Sequence, residues 1–86
     1  MTADSLHQRI RDFILRNYLF TDDASAVGLD DSLIGSGIVS SVAVLEIVMF
    51  IEHELGVQVR DEEVIPENFD SINRIAAFVA ARRRPG

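Results

Sequence analysis

The chain contains no cysteine, so it has no disulfide framework, no thiolate metal site and no thiol nucleophile of its own. Basic residues are nearly missing from its middle. Residues 21–70 carry twelve acidic side chains against Arg60 alone, while the two ends carry Asp4 and Asp12 against seven arginines. An acidic middle of this kind disfavours nucleic acid and anionic membranes. It favours partners with arginine or lysine patches, chiefly by steering encounter, and it also serves plain solubility. Arg82, Arg83 and Arg84 read as a helix end that complements the macrodipole. No basic region leads into a short apolar run with a small-residue cleavage site at the N-terminus, so no export signal is read and a cytoplasmic protein is expected.

Uninterrupted hydrophobic length is also lacking. The run from Leu33 to Ile51 approaches spanning length, but Gly35, Ser36, Gly37, Ser40 and Ser41 break its first half and Glu46 sits in the second. No basic flanks anchor it, so no membrane span is expected. Catalytic signatures are missing as well. Gly35 and Gly37 lack the further glycines and the lysine of a phosphate-binding loop, and no Gly-x-Ser-x-Gly elbow surrounds either serine. Neither His7 nor His53 stands in a base and nucleophile arrangement, so no catalytic residue is assigned and an enzyme is not expected. Counting a calcium loop from Asp22 puts Ala24 and Ala26 where ligating oxygens belong, so no metal site is expected.

Eighty-six residues suffice for one domain with a single modest core. The pattern predicts an all-α, four-helix bundle of three long helices and one short one, spanning residues 1–86, with helices near 5–17, 41–55, 61–65 and 71–82. In the first, Asp4 is the expected N-cap, and Leu6, Ile10, Phe13 and Ile14 share a face. Tyr18 to Val39 reads as a long connection pinned by Leu29, Leu33 and Ile34. The second helix starts at Ser40 or Ser41 and is stopped by Gly56. From Val42 to Ile51 only Glu46 is charged, so this helix cannot bury every face and must leave apolar surface for a partner or ligand. Val57 to Val59 reads as extended. Ser71 is the expected cap of the last helix, which lines up Ile72, Ile75, Ala76 and Val79.

The pair Ser40–Ser41 thus sits at a helix mouth, where unpaired N–H groups and the positive end of the macrodipole welcome a phosphate. From Asp31 to Val79 the chain resembles the phosphopantetheine-dependent acyl carrier proteins and their aminoacyl and peptidyl relatives. Gly37, Ile38, Ser41, Glu46 and Gly56 match that family's Gly-Ile-x-Asp-Ser-Leu segment, its following glutamate and its helix-ending glycine. Asp61, Glu62 and Glu63 look like its acidic turn, and Asn68-Phe69-Asp70-Ser71-Ile72 resembles its Asn-Phe-x-Thr-Ile segment. Two positions depart from the pattern. Ser40 replaces the aspartate and Val42 the leucine. Ser40 keeps an oxygen that can cap the helix but not the negative charge, which in the family is associated with the transferase and its metal ion.

The resemblance implies an acyl-carrier-protein-like bundle with 4′-phosphopantetheine, taken from coenzyme A by a phosphopantetheinyl transferase, on Ser41. Spacing to Glu46 favours Ser41 over Ser40. Cargo would ride as a thioester in fatty-acid, polyketide, nonribosomal-peptide or specialised acyl metabolism. Val42, Leu45, Glu46, Met49 and Glu52 would meet acyl- or aminoacyl-loading and processing enzymes with basic patches. Val44, Ile47, Val48 and Ile51 read either as plain core or as the lining of an acyl shelter. The short termini point to a discrete protein, and a monomer is expected. The alternative reading is a carrier-like acidic interaction module without a prosthetic group, using the same apolar helix.

Overall fold

The computed structural model describes residues 3–83 and is helical, with no strand among them. Helix α1 spans Ala3–Ile14, α2 Ala43–Glu54, α3 Pro66–Phe69 and α4 Ile72–Arg83. Three are long and one is short. Asp4 lies inside the first turn of α1 rather than capping it, because the helix already begins at Ala3. Arg84 is outside the described residues. No helix among them is long and apolar enough to cross a membrane.

The expected extension of α1 to Asn17 takes a different form. From Leu15 to Leu19 the helix widens into a π-turn, closed by the Phe20 N–H on the Leu15 carbonyl. Phe20 itself is left-handed, at φ 54° and ψ 43°. That conformation costs a side-chain-bearing residue about 1–2 kcal/mol. Phe20 is 83% exposed, so burial of its ring does not offset the cost.

The connection that follows is held by polar clamps as well as by apolar pins. Leu33, Val27 and Val39 are buried, and Leu29 and Ile34 pack against the core. Asp70 fastens the loop from below. Its carboxylate accepts from Ser32 Oγ at 2.8 Å and from the Ile34 N–H at 2.9 Å, and its carbonyl accepts from the Leu33 N–H at 2.8 Å. Asn73 adds a second clamp, donating to Asp30 at 2.7 Å and, through its backbone N–H, to the Leu29 carbonyl at 2.9 Å. These bonds supply partners for loop backbone groups that have no helix to satisfy them.

Helix α2 ends as its sequence predicts. Gly56 adopts φ +70°, and the Val57 N–H bonds back to the Ile51 carbonyl at 3.3 Å, a Schellman-type closure. Arg9 and Arg83 donate to the Glu54 and Leu55 carbonyls, placing positive charge at the negative end of the helix dipole.

The short helix is shifted from the predicted 61–65. Asp61–Glu63 forms a 3₁₀ turn, and α-helix begins only at Pro66. Proline lacks the N–H that an interior position needs, yet its fixed φ suits the first helical position, so it separates the two. The turn is closed by the Arg60 N–H on Glu63 Oε1 at 2.9 Å, and Glu63 also pairs with Arg82. Each residue of Asn68–Ile72 then has a distinct task. Asn68 donates to the Glu63 carbonyl at 2.9 Å, Phe69 is buried and Asp70 clamps the loop. Ser71 caps α4 by accepting from the Arg74 N–H at 3.1 Å, and Ile72 enters the core. Along α4, Ile75, Ala76 and Val79 are buried with Ile72, as their spacing predicts. Helix α4 packs on α1 and α3, and all four helices contribute to one hydrophobic cluster.

Candidate functional site

Two serines stand where the chain turns into α2, and they do different things. Ser40 Oγ accepts from the Ala43 N–H at 3.1 Å, and the Ser40 carbonyl accepts from the Val44 N–H at 3.2 Å. Ser40 is therefore the hydrogen-bonding cap, although regular helix is counted from Ala43. Ser41 follows in the same turn. It is exposed, and its hydroxyl makes no hydrogen bond among the described residues. The chain enters this turn through Gly37, whose φ of +82° lies where side-chain-bearing residues are strained, and through Val39, whose buried side chain anchors the entry.

The face of α2 nearest the serines has the expected character. Val42, Leu45, Glu46, Met49 and Glu52 are three or four residues apart and all exposed, so they form one outward stripe. The fractional exposures of Val42, Leu45 and Met49 are 74%, 57% and 57%, large for apolar side chains on so small a protein. The opposite face, with Val44, Ile47 and Ile51, lies in the core, and Val48 is half-buried against it. These are the four residues read as core or acyl shelter, and three of them are fully committed to the core.

Two of the acidic side chains on the stripe are occupied within the molecule. Glu52 accepts from the Val59 N–H at 3.1 Å and so holds the segment after α2 against it. Glu46 accepts a 2.6 Å hydrogen bond from the Tyr18 hydroxyl, which also lies 3.4 Å from the Ala43 carbonyl. Partial burial pushes the Tyr18 phenol well above its ordinary value of 10.0, and the Glu46 hydrogen bond and negative charge push it the same way.

Beside the stripe, an open groove of about 740 Å³ runs between α1 and α2. Phe13, Phe50 and Met49 give it an apolar lining, with Arg9, Asp12, Arg16, Glu46, His53 and Glu54 around them. The volume is within the range of small-molecule pockets, but the charges are mixed in sign and select no ligand class. His7 is engaged elsewhere, with Nε2 2.9 Å from Asn73 Oδ1.

Nothing in the sequence marks Tyr18, at the start of the long connection, or Phe20. The spacing from Phe13 to Tyr18 is five residues, outside the three-and-four rule of an α-helix, so no periodic signal marks the pair. No protein-family model matches the chain, and no curated protein matches it.

Proposed function

We propose that this chain is an acyl or aminoacyl carrier, a non-enzymatic shuttle bearing 4′-phosphopantetheine on Ser41. The observation that carries the reading is the division of work between the serines: Ser40 caps α2, which leaves the Ser41 hydroxyl exposed and unbonded beside it. An acceptor hydroxyl must be reachable and must not be needed by the fold. Ser41 meets both conditions and Ser40 meets only the first.

The surroundings suit a phosphodiester. The group would sit at the positive end of α2, where first-turn amides and the helix dipole favour an anion. During modification the Ser41 Oγ would form the new P–O bond and give up its proton to the transferase or solvent, while the pyrophosphate link of coenzyme A breaks and adenosine 3′,5′-bisphosphate leaves. When bound, the arm supplies the thiol that the cysteine-free chain lacks and holds cargo as a thioester. The exposed Val42, Leu45 and Met49 offer enzymes an apolar contact, and Glu46 offers a basic side chain an ion pair. Such exposed pairs contribute about 0–1 kcal/mol each, which suits a shuttle that must leave each enzyme quickly. The reading implies a cytosolic monomer.

The same exposed stripe supports a second reading, an acidic module that docks on a basic partner with no prosthetic group. The two differ in what Ser41→Ala does. Because the chain has no cysteine, any thiol titrated on it is an added one, once the chain has been incubated with coenzyme A, magnesium and a broad-specificity phosphopantetheinyl transferase and then purified away from both coenzyme A and transferase. The carrier reading expects one thiol per wild-type chain and none for Ser41→Ala. No thiol on the wild type, with a native-host transferase as well, would favour the docking module.

A further inference from the structure

The end of α1 is built to bring one side chain to the mouth of α2. In the π-turn Leu15–Leu19 the hydrogen bond spans five residues instead of four. This widening carries Tyr18 round to the face of Phe13, which an α-helical continuation would not do. The two rings meet edge to face, 5.9 Å between centroids at 73°. Phe13 in turn stacks on Phe50 of α2, 4.4 Å apart at 23°. Three aromatic rings thus link the end of α1 to α2. The tip of the chain of rings is the Tyr18 hydroxyl, 2.6 Å from Glu46 Oε1.

A glutamate on an exposed helix face ordinarily samples many rotamers, and ordering it on binding costs free energy. Here Oε1 is already held by a phenol that packing fixes in place. Oε2 remains to meet a cation. Glu46 lies five residues after Ser41, in the first turn of α2, so a cation that engages it is guided toward the serine.

We propose that Tyr18 is a positioning residue: through the π-turn and its bond to Glu46 it presents that carboxylate, pre-oriented, to a cationic side chain of the enzyme that modifies Ser41. This rests on the carrier reading. Pre-orientation acts on binding alone, so it lowers KM and leaves kcat unchanged. Tyr18→Phe keeps the ring packing and removes only the hydroxyl.

The test measures modification kinetics by intact mass for wild type, Tyr18→Phe, Glu46→Ala and the double variant, together with the χ1 couplings of Glu46 by NMR in the unmodified proteins. The proposal expects a KM about threefold to tenfold higher for Tyr18→Phe at unchanged kcat, no further loss in the Glu46→Ala background, and Glu46 couplings that change from one rotamer to an average. Unchanged KM, an equal loss in both backgrounds, or a single Glu46 rotamer retained in Tyr18→Phe would overturn it. A wild type that accepts no phosphopantetheine would overturn the carrier reading instead. The same cycle, read as affinity for a polyarginine peptide, then decides whether Tyr18 positions Glu46 for a cation.

Discussion

Replacing the two adjacent serines one at a time should separate stability from modification. Ser40→Ala removes the oxygen that accepts from the Ala43 N–H at 3.1 Å. Loss of such a cap costs about 1 kcal/mol, in a range of about 0.5–2. Unfolding entropy of roughly 2.1 cal/mol/K per residue gives about 0.18 kcal/mol/K for 86 residues, so Tm should fall by about 5 °C. Ser41→Ala removes an exposed hydroxyl with no partner, and its effect should lie within about 0.5 kcal/mol, or roughly 3 °C. Modification should show the reverse order: Ser40→Ala still accepts phosphopantetheine and Ser41→Ala does not. Calorimetry on the unmodified proteins and mass measurement on the treated ones supply both axes. Equal Tm losses for the two variants, or modification lost from Ser40→Ala and retained by Ser41→Ala, would refute the division of work. Ser40→Asp extends the series, because a carboxylate caps equally well and adds charge at the positive end of the helix. It should gain about 0.3–1 kcal/mol over wild type and be modified faster by a standard transferase.

Other consequences follow from the same contacts. Tyr18 is the only tyrosine, so tyrosinate absorbance reports it alone; in the folded protein it should titrate above 10.0, and Glu46→Gln should bring it down. Because the folded value is the higher one, the stability this phenol confers is complete below about pH 10 and declines as pH rises above it; Tyr18→Phe should flatten that decline in alkaline denaturant titrations. Asp70→Ala removes the acceptor of Ser32 and of the Ile34 amide and should cost about 1–3 kcal/mol by urea denaturation, with amide exchange accelerating in the loop around Leu33. Leu45→Ser and Met49→Ser should leave stability within about 0.5 kcal/mol while weakening enzyme binding, because both side chains are more exposed than buried.

The parts of the fold that were legible in the sequence are those decided locally. The buried stripe Ile72, Ile75, Ala76 and Val79, the Ser71 cap and the Gly56 stop each depend on residues within about one turn, and all three stand as read. The exposed stripe Val42, Leu45 and Met49 was legible for a related reason: a helix apolar nearly all round cannot hide every face in a domain of this size. The π-turn was not legible, because it has no sequence period of its own and its Tyr18 ring packs on Phe13, which stacks on Phe50 across the fold. Asp70 likewise reaches residues 36 and 38 positions earlier, and nothing near it in the chain announces the clamp. At the short helix a readable signal was present. Pro66 is a natural first helical residue, and it explains why helix starts there and not at Asp61. The helix mouth was legible as a pair of serines; which one caps required coordinates, since either hydroxyl could have reached an amide.

The most direct test is an intact-mass measurement with fragment mapping after incubation with coenzyme A, magnesium and a phosphopantetheinyl transferase. Carrier function on Ser41 requires a single added phosphopantetheine, mapped to Ser41, with Ser40 unmodified. No addition with any transferase, or addition mapped to Ser40, would contradict it.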